Sequence, residues 1–364
     1  MVPEDQDECA FYQSVFAMLR AFRYKNSSMV LILPTLACNA RCFYCYEEGI
    51  PQTTMSPETV EQTIRYLVQN KSDGELHIEW FGGEPFLYPD IIDRICEGLR
   101  EAGVKYHSTA VSNGSLITPQ IIEKMTGLWN LKALQISMDG NEQDYIARKR
   151  YPVYHDYYHT VMETISRMSE VGIEVSIRCN VDDSNVDHMS SLLDDLKVGI
   201  KQKDHVYLYY EQLFGEGNRK NDVANWEKII AFRSQIEAAG FKTSARIPLD
   251  KEPRAAHCMA DRNGVVITPD GSLYACAHMP KEARFGDVWN GVTDEAEWKD
   301  FVRIDRVSEK CQTCPVLPIC TPFVCPIVFE TPNCKEISKR QLIDALCDRI
   351  RKKQKAEPDE SIIC

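Results

Sequence analysis

From residue 29 onward, short apolar runs such as Met29-Val-Leu-Ile-Leu33 alternate with stretches in which apolar residues recur every three or four positions. The runs predict strands at 29–34, 75–81, 106–111, 133–137, 174–179 and 206–212. The longer stretches predict helices at about 57–69, 89–102, 118–127, 157–171, 185–196 and 223–240. Six β/α units at this spacing imply an α/β protein with parallel strands and right-handed crossovers. That number suits a partial (β/α)6 TIM-like barrel better than a closed eight-fold one. Before it, Phe11, Val15, Leu19 and Phe22 predict an amphipathic helix at 8–22 in an N-terminal segment 1–28. The rhythm breaks at Ile247-Pro-Leu-Asp-Lys-Glu-Pro253, which divides a barrel at 29–250 from a second module at 251–347 and a tail at 348–364.

With 364 residues, 44% of them hydrophobic, the chain can bury a sizeable core. It has no apolar run near the roughly 20 residues a membrane span needs. The acidic start Met1-Val-Pro-Glu-Asp-Gln-Asp-Glu8 opposes a signal peptide, so a cytoplasmic location is expected. A net charge of −12 without a long basic patch argues against nucleic acid as a partner. Cysteine changes the picture most. Fifteen are present, nine of them from Cys258 onward. In a reducing compartment, metal accounts for them better than disulfides.

Candidate chemistry gathers where predicted strands end. After the first come Cys38, Cys42 and Cys45 in Cys-Asn-Ala-Arg-Cys-Phe-Tyr-Cys. A four-iron cubane would find only three thiolates in this loop, which leaves one iron for a reactant. A zinc loop would favour paired CxxC knuckles instead. Gly82-Gly83-Glu84-Pro85, Ser112-Asn113-Gly114, Ser137-Met-Asp139-Gly140 and Arg178-Cys-Asn180 follow at later strand ends. In β/α barrels that rim carries the chemistry.

The cysteine loop, with aromatic Tyr44 before its third cysteine, resembles the CxxxCxΦC pattern of the radical S-adenosylmethionine (SAM) superfamily. The resemblance implies a 4Fe-4S cluster on Cys38, Cys42 and Cys45 as the catalytic centre. SAM would chelate the open iron and be cleaved to methionine and a 5′-deoxyadenosyl radical. It also implies that Gly82, Gly83, Glu84 and Pro85 hold the SAM amino group, with Glu84 serving an ammonium or fixing the loop. Ser137, Asp139, an arginine at Arg148 or Arg150, Arg178 and Asn180 match positions that contact the ribose and carboxylate. Ser112 and Asn113 serve the pocket or simply form the Asn-Gly turn.

Cys258, twelve residues, Gly271, four residues and Cys276 are followed by Cys311-x2-Cys314-x5-Cys320-x4-Cys325 and Cys334. This resembles the SPASM domain of radical SAM enzymes that modify peptides and proteins. Its pattern Cx9–15Gx4C, Cx2Cx5Cx3C, C departs here only between Cys320 and Cys325. Paired zinc knuckles are the competing reading of these cysteines. The resemblance implies two auxiliary 4Fe-4S clusters, one on Cys258, Cys276 and Cys325, the other on Cys311, Cys314, Cys320 and Cys334, with Cys347 as the alternative last ligand. No further cysteine lies in 246–257, so the first auxiliary cluster is expected to keep an open iron. Cys9, Cys96 and Cys364 fit no ligand pattern, and Cys179 is read as packing before a hydrogen-donor role.

These resemblances imply a maturase that abstracts hydrogen from a ribosomally made peptide and closes a thioether or carbon–carbon crosslink. Its expected partners are a peptide or protein substrate and an electron donor such as a flavodoxin or ferredoxin. With only 37 residues before Cys38, either a leader binds elsewhere on the chain, or a separate leader-binding protein presents it, or there is no leader. Sulfatase maturation is the alternative. There an aspartate follows the second SPASM cysteine, where this chain has Ala277 and then His278. A noncatalytic iron–sulfur electron carrier is a third reading, disfavoured because it needs no SAM pocket.

Overall fold

The strand β1 (Met29–Thr35) is buried along its whole length, as an apolar run in the middle of a sheet must be. The computed structural model describes residues 29–71, 74–153, 155–213, 223–243, 264–278 and 281–300. The expected helix at 8–22, the break at 247–253, Cys9, Cys258 and every cysteine from Cys311 to Cys364 lie outside the described residues.

β1 is followed by β2 (Leu76–Gly82), β3 (Tyr106–Ser112), β4 (Leu131–Ser137), β5 (Glu174–Val181) and β6 (Val206–Gln212), each paired in parallel with the next. Between them run α1 (Pro57–Asn70), α2 (Pro89–Glu101), α3 (Pro119–Thr126), α4 (Glu142–Lys149), α5 (Tyr157–Glu170) and α6 (Met189–Gly199), with α7 (Val223–Ala238) after β6. Local chemistry sets the helix starts. Ser56, Thr118, Asn141 and Asp156 each accept a hydrogen bond from a backbone N–H three residues on, and proline opens α1 and α3.

In β2 and β3 alternate residues are buried, which leaves His77, Glu79, His107 and Thr109 half-exposed on the other face. Trp80, Trp129, Ile92, Ile95 and Leu99 are fully buried in the core, and Trp129 stacks on Phe86 with ring centres 5.6 Å apart.

Two features were not expected. α4 is one. The other is a strand group beyond residue 264: β7 (Val265–Ile267), β8 (Ser272–Tyr274), β9 (Gly286–Asp287) and β10 (Gly291–Val292), then helix α8 (Glu295–Asp300). β7 pairs in parallel with β1 and the rest continue antiparallel, so the sheet runs β10-β9-β8-β7-β1-β2-β3-β4-β5-β6. Gly271 makes the β7–β8 turn at φ +78°, and a Cβ there would lie 2.8 Å from a Trp289 ring atom. This turn leads into β8, which ends two residues before Cys276.

Candidate functional site

Immediately after β1, the side-chain hydroxyl of Thr35 donates to the Thr53 carbonyl and accepts the Ala37 N–H at 3.0 Å, turning the chain into the cysteine loop. The Cys38, Cys42 and Cys45 thiols are free and half-buried. The N–H of Ala40 donates to Cys38 Sγ at 3.4 Å, and Asn113 Nδ2 lies 3.8 Å from the same sulfur. Burial pushes the Cys38 thiol up to about 12, and Glu84, Cys42 and Cys45 add to the shift. Cys45 is raised as well, chiefly by burial. Burial disfavours the thiolate at Cys38 and Cys45, so a cationic centre would be needed to hold them ionised. The donor set therefore fits a metal cluster taking three sulfurs.

Gly82 and Gly83 are required by the neighbouring chain. A Cβ on Gly83 would sit 2.6 Å from the Ala37 carbonyl carbon and 2.7 Å from Leu36 O, and one on Gly82 would strike Thr35 O. That close approach lets Gly83 N–H donate to Thr35 O at 3.1 Å and Glu84 N–H to Ala37 O at 2.9 Å. Of the two uses open to Glu84, fixing the loop is the one seen. Fully buried, it accepts from Ser112 Oγ and Phe86 N–H on one oxygen and from Asn113 N–H at 2.8 Å on the other. Burial pushes its pKa up to about 7 against these bonds. Pro85 opens a short 3-10 turn behind it. Asn113 also joins Asn39 and Ser115, which ties the third strand end to the cysteine loop.

The fourth strand end meets the loop through a buried polar group. Tyr44 Oη donates to Asp139 Oδ2, while Asp139 Oδ1 accepts the Asn180 N–H and Nδ2, each at 3.0 Å. Lys149, absent from the sequence-based site, donates to Ser137 Oγ at 2.5 Å and to Tyr44 Oη at 3.1 Å, and lies 3.6 Å from Asp139. Burial opposes its charge, but Asp139 holds its pKa well above the usual lysine range. Its only sequence signal was the i, i+4 spacing from Tyr145 on a helix after the Asp-Gly turn.

Arg148 is also buried. Its guanidinium pairs with Asp182 at 3.0 Å, donates to Ser184 Oγ and to the Asn180 carbonyl, and lies 4.9 Å from the Phe43 ring centre. Arg150 caps α4 in the left-handed region, with its side chain also over Phe43. Arg178 donates through Nε to Asn180 Oδ1 at 3.0 Å. Asn185, another residue not foreseen, donates to the carbonyls of Asp139 and Asn180. Cys96 and Cys179 are buried within the fold.

After β8, the His278 N–H lies 3.5 Å from Cys276 Sγ, and its ring packs on Tyr46, centres 4.1 Å apart. Burial and then Arg178 hold the imidazole below its ordinary pKa. His278, two residues past Cys276, thus touches the residue that follows Cys45. The structure joins that loop, Gly82–Pro85, Ser112–Asn113, Ser137–Asp139, Arg148 and Asn180 in one hydrogen-bonded rim.

Residues 32–196 match the radical SAM superfamily, a family that implies a 4Fe-4S cluster and SAM. The chain is 24% identical over 265 residues to the antilisterial bacteriocin subtilosin biosynthesis protein AlbA of Bacillus subtilis, covering 70% of this chain and 56% of that one. It spans about half the length of the curated relatives it first matches. In fold it is similar to anSMEcpe with bound AdoMet, with TM-score 0.69, 17% identity and coverage of 89% and 98% of the two chains. It is similar also to Streptococcus suis SuiB bound to precursor peptide SuiA, with TM-score 0.62, 15% identity and coverage of 88% and 77%. No helix among the described residues is long and apolar enough to cross a membrane.

Proposed function

We propose that the chain, whose residues 32–196 match the radical SAM superfamily, is a maturase that modifies a ribosomally made peptide. Cys38, Cys42 and Cys45 would hold one 4Fe-4S cluster; Cys258, Cys276 and Cys325 a second; and Cys311, Cys314, Cys320 and Cys334 a third. When bound, these groups would supply the electron that opens SAM to a 5′-deoxyadenosyl radical and accept the second electron leaving the substrate. The protein's part is positional. Glu84 locks the Gly82–Pro85 loop to β3 and the glycines press it against the approach to Cys38, so the loop beside the cysteines is preorganised. Asp139 and Asn180 present a fixed polar face on the fourth and fifth strand ends.

The observation that carries the peptide reading is the packing of His278, two residues past Cys276, on Tyr46, next to Cys45. Bringing a candidate auxiliary ligand to the rim suits two-electron oxidation of a substrate held there. The kinship with a bacteriocin biosynthesis protein and the likeness to a protein solved with its precursor peptide support a peptide as that substrate. The net change is loss of two hydrogens: one atom goes to the radical, and a proton and an electron leave as the crosslink closes. Sulfatase maturation is the second reading: the aspartate expected after Cys276 is replaced by Ala277, and His278 next to it would have to serve as the base.

Co-expression with short peptides encoded beside the gene, followed by mass spectrometry, tests this. A peptide lighter by two hydrogens is expected. If no co-expressed peptide changes mass, the peptide reading fails.

A further inference from the structure

Lysine is seldom enclosed in a protein, yet the Lys149 side chain is only 1% exposed. Its ammonium has three donors and faces three oxygens: Ser137 Oγ at 2.5 Å, Tyr44 Oη at 3.1 Å and Asp139 Oδ2 at 3.6 Å. The same turn of α4 grips the cysteine loop through its backbone. The Lys149 carbonyl accepts Arg41 N–H at 2.9 Å, and the Arg148 carbonyl accepts Phe43 N–H at 3.3 Å.

Tyr44 therefore stands between two backbone anchors and a charged side-chain anchor. Its hydroxyl donates to Asp139 and accepts from Lys149, and Asp139 is itself held by two hydrogens of Asn180. A phenol held from both sides has one orientation. Without the ammonium, the hydroxyl loses its donor and the Asp139 carboxylate its only ion-pair partner among the described residues.

We propose that Lys149 is a positioning residue: its enclosed ammonium orients Tyr44 and so fixes the face that the Cys38–Cys45 loop turns toward SAM. This rests on the radical SAM reading given above. It differs from a plain contribution to folding, because the effect passes through one hydroxyl. Tyr44→Phe removes that hydroxyl and little else, whereas Lys149→Met removes the charge that holds it.

The test is a double-mutant cycle on the full-length, reconstituted protein, reading the dissociation constant of SAM from the SAM-dependent change in the cluster's EPR spectrum, well below the unfolding midpoint. Each single variant is expected to weaken SAM binding about tenfold, the worth of one buried hydrogen bond to a charged group. The double variant should be no weaker than Lys149→Met alone, since that variant has already broken the linkage Tyr44→Phe removes. Multiplying losses would overturn the inference. So would a Tyr44→Phe protein that binds SAM as the unaltered chain does, and this outcome decides the matter even if Lys149→Met fails to fold. An unaltered protein whose spectrum ignores SAM would instead sink the radical SAM reading itself.

Discussion

Gly83→Ala probes how the rim is assembled. The new methyl would lie 2.6 Å from the Ala37 carbonyl carbon and 2.7 Å from Leu36 O, and closer still to Ala37 O. All three atoms are backbone of the segment between β1 and Cys38, so no side-chain rotation relieves the clash. The segment must move, and it cannot do so while Gly83 N–H and Glu84 N–H keep their bonds to Thr35 O and Ala37 O. Overpacking costs about 1–3 kcal/mol and each lost bond about 1 kcal/mol, roughly 3–5 kcal/mol together. Gly103→Ala is the control: its φ is +67° but nothing lies within 4 Å, so only backbone strain of about 1–2 kcal/mol applies. Anaerobic urea unfolding gives the stability, and iron analysis of the reconstituted protein reports the loop. Gly83→Ala should lose more stability than Gly103→Ala and should alone lose iron. A Gly83→Ala protein with full iron and stability within about 1 kcal/mol of the parent would refute this view of the glycines.

Arg148→Lys keeps the charge but cannot reach Asp182 and the Asn180 carbonyl together, so it should cost about 2–4 kcal/mol in thermal unfolding; an unchanged melting curve would contradict that. Glu84 titrates near 7 in the fold against an ordinary 4.5. The native state then keeps a proton that the unfolded chain releases. Its contribution is complete below about pH 4.5 and is lost as pH rises through about 7, up to about 3 kcal/mol. The gap between parent and Glu84→Gln stability should change over that window, and parallel curves would count against it. Cys276→Ala should lower iron by roughly four per chain if that thiol serves an auxiliary cluster; full iron content would remove it from the ligand set.

The parallel strands and their helices were legible because apolar runs and 3.6-residue periodicity reflect burial directly, as in the fully buried β1 and the Ser56-capped α1. α4 escaped notice because its buried residues are Tyr145, Arg148 and Lys149, two of them charged, so no apolar stripe marks the helix. β7 and β8 are three residues each, too short for any period to register, and β7 gains its place by pairing with β1. The rim motifs were readable from residue type at strand ends. Their partnerships were not. Glu84 reads equally as an ammonium ligand or a loop lock, and only the Ser112 and Asn113 donors, about 30 residues away in sequence, distinguish the two. Arg148 likewise reads as a contact for the ribose or carboxylate until Asp182 comes into contact with it.

Quantifying 5′-deoxyadenosine after anaerobic reconstitution with iron, sulfide, SAM and a strong reductant tests the central claim most directly. The parent protein should form it, and variants with alanine at Cys38, Cys42 or Cys45 should not. An iron-loaded parent that leaves SAM intact would contradict a radical SAM function for this rim.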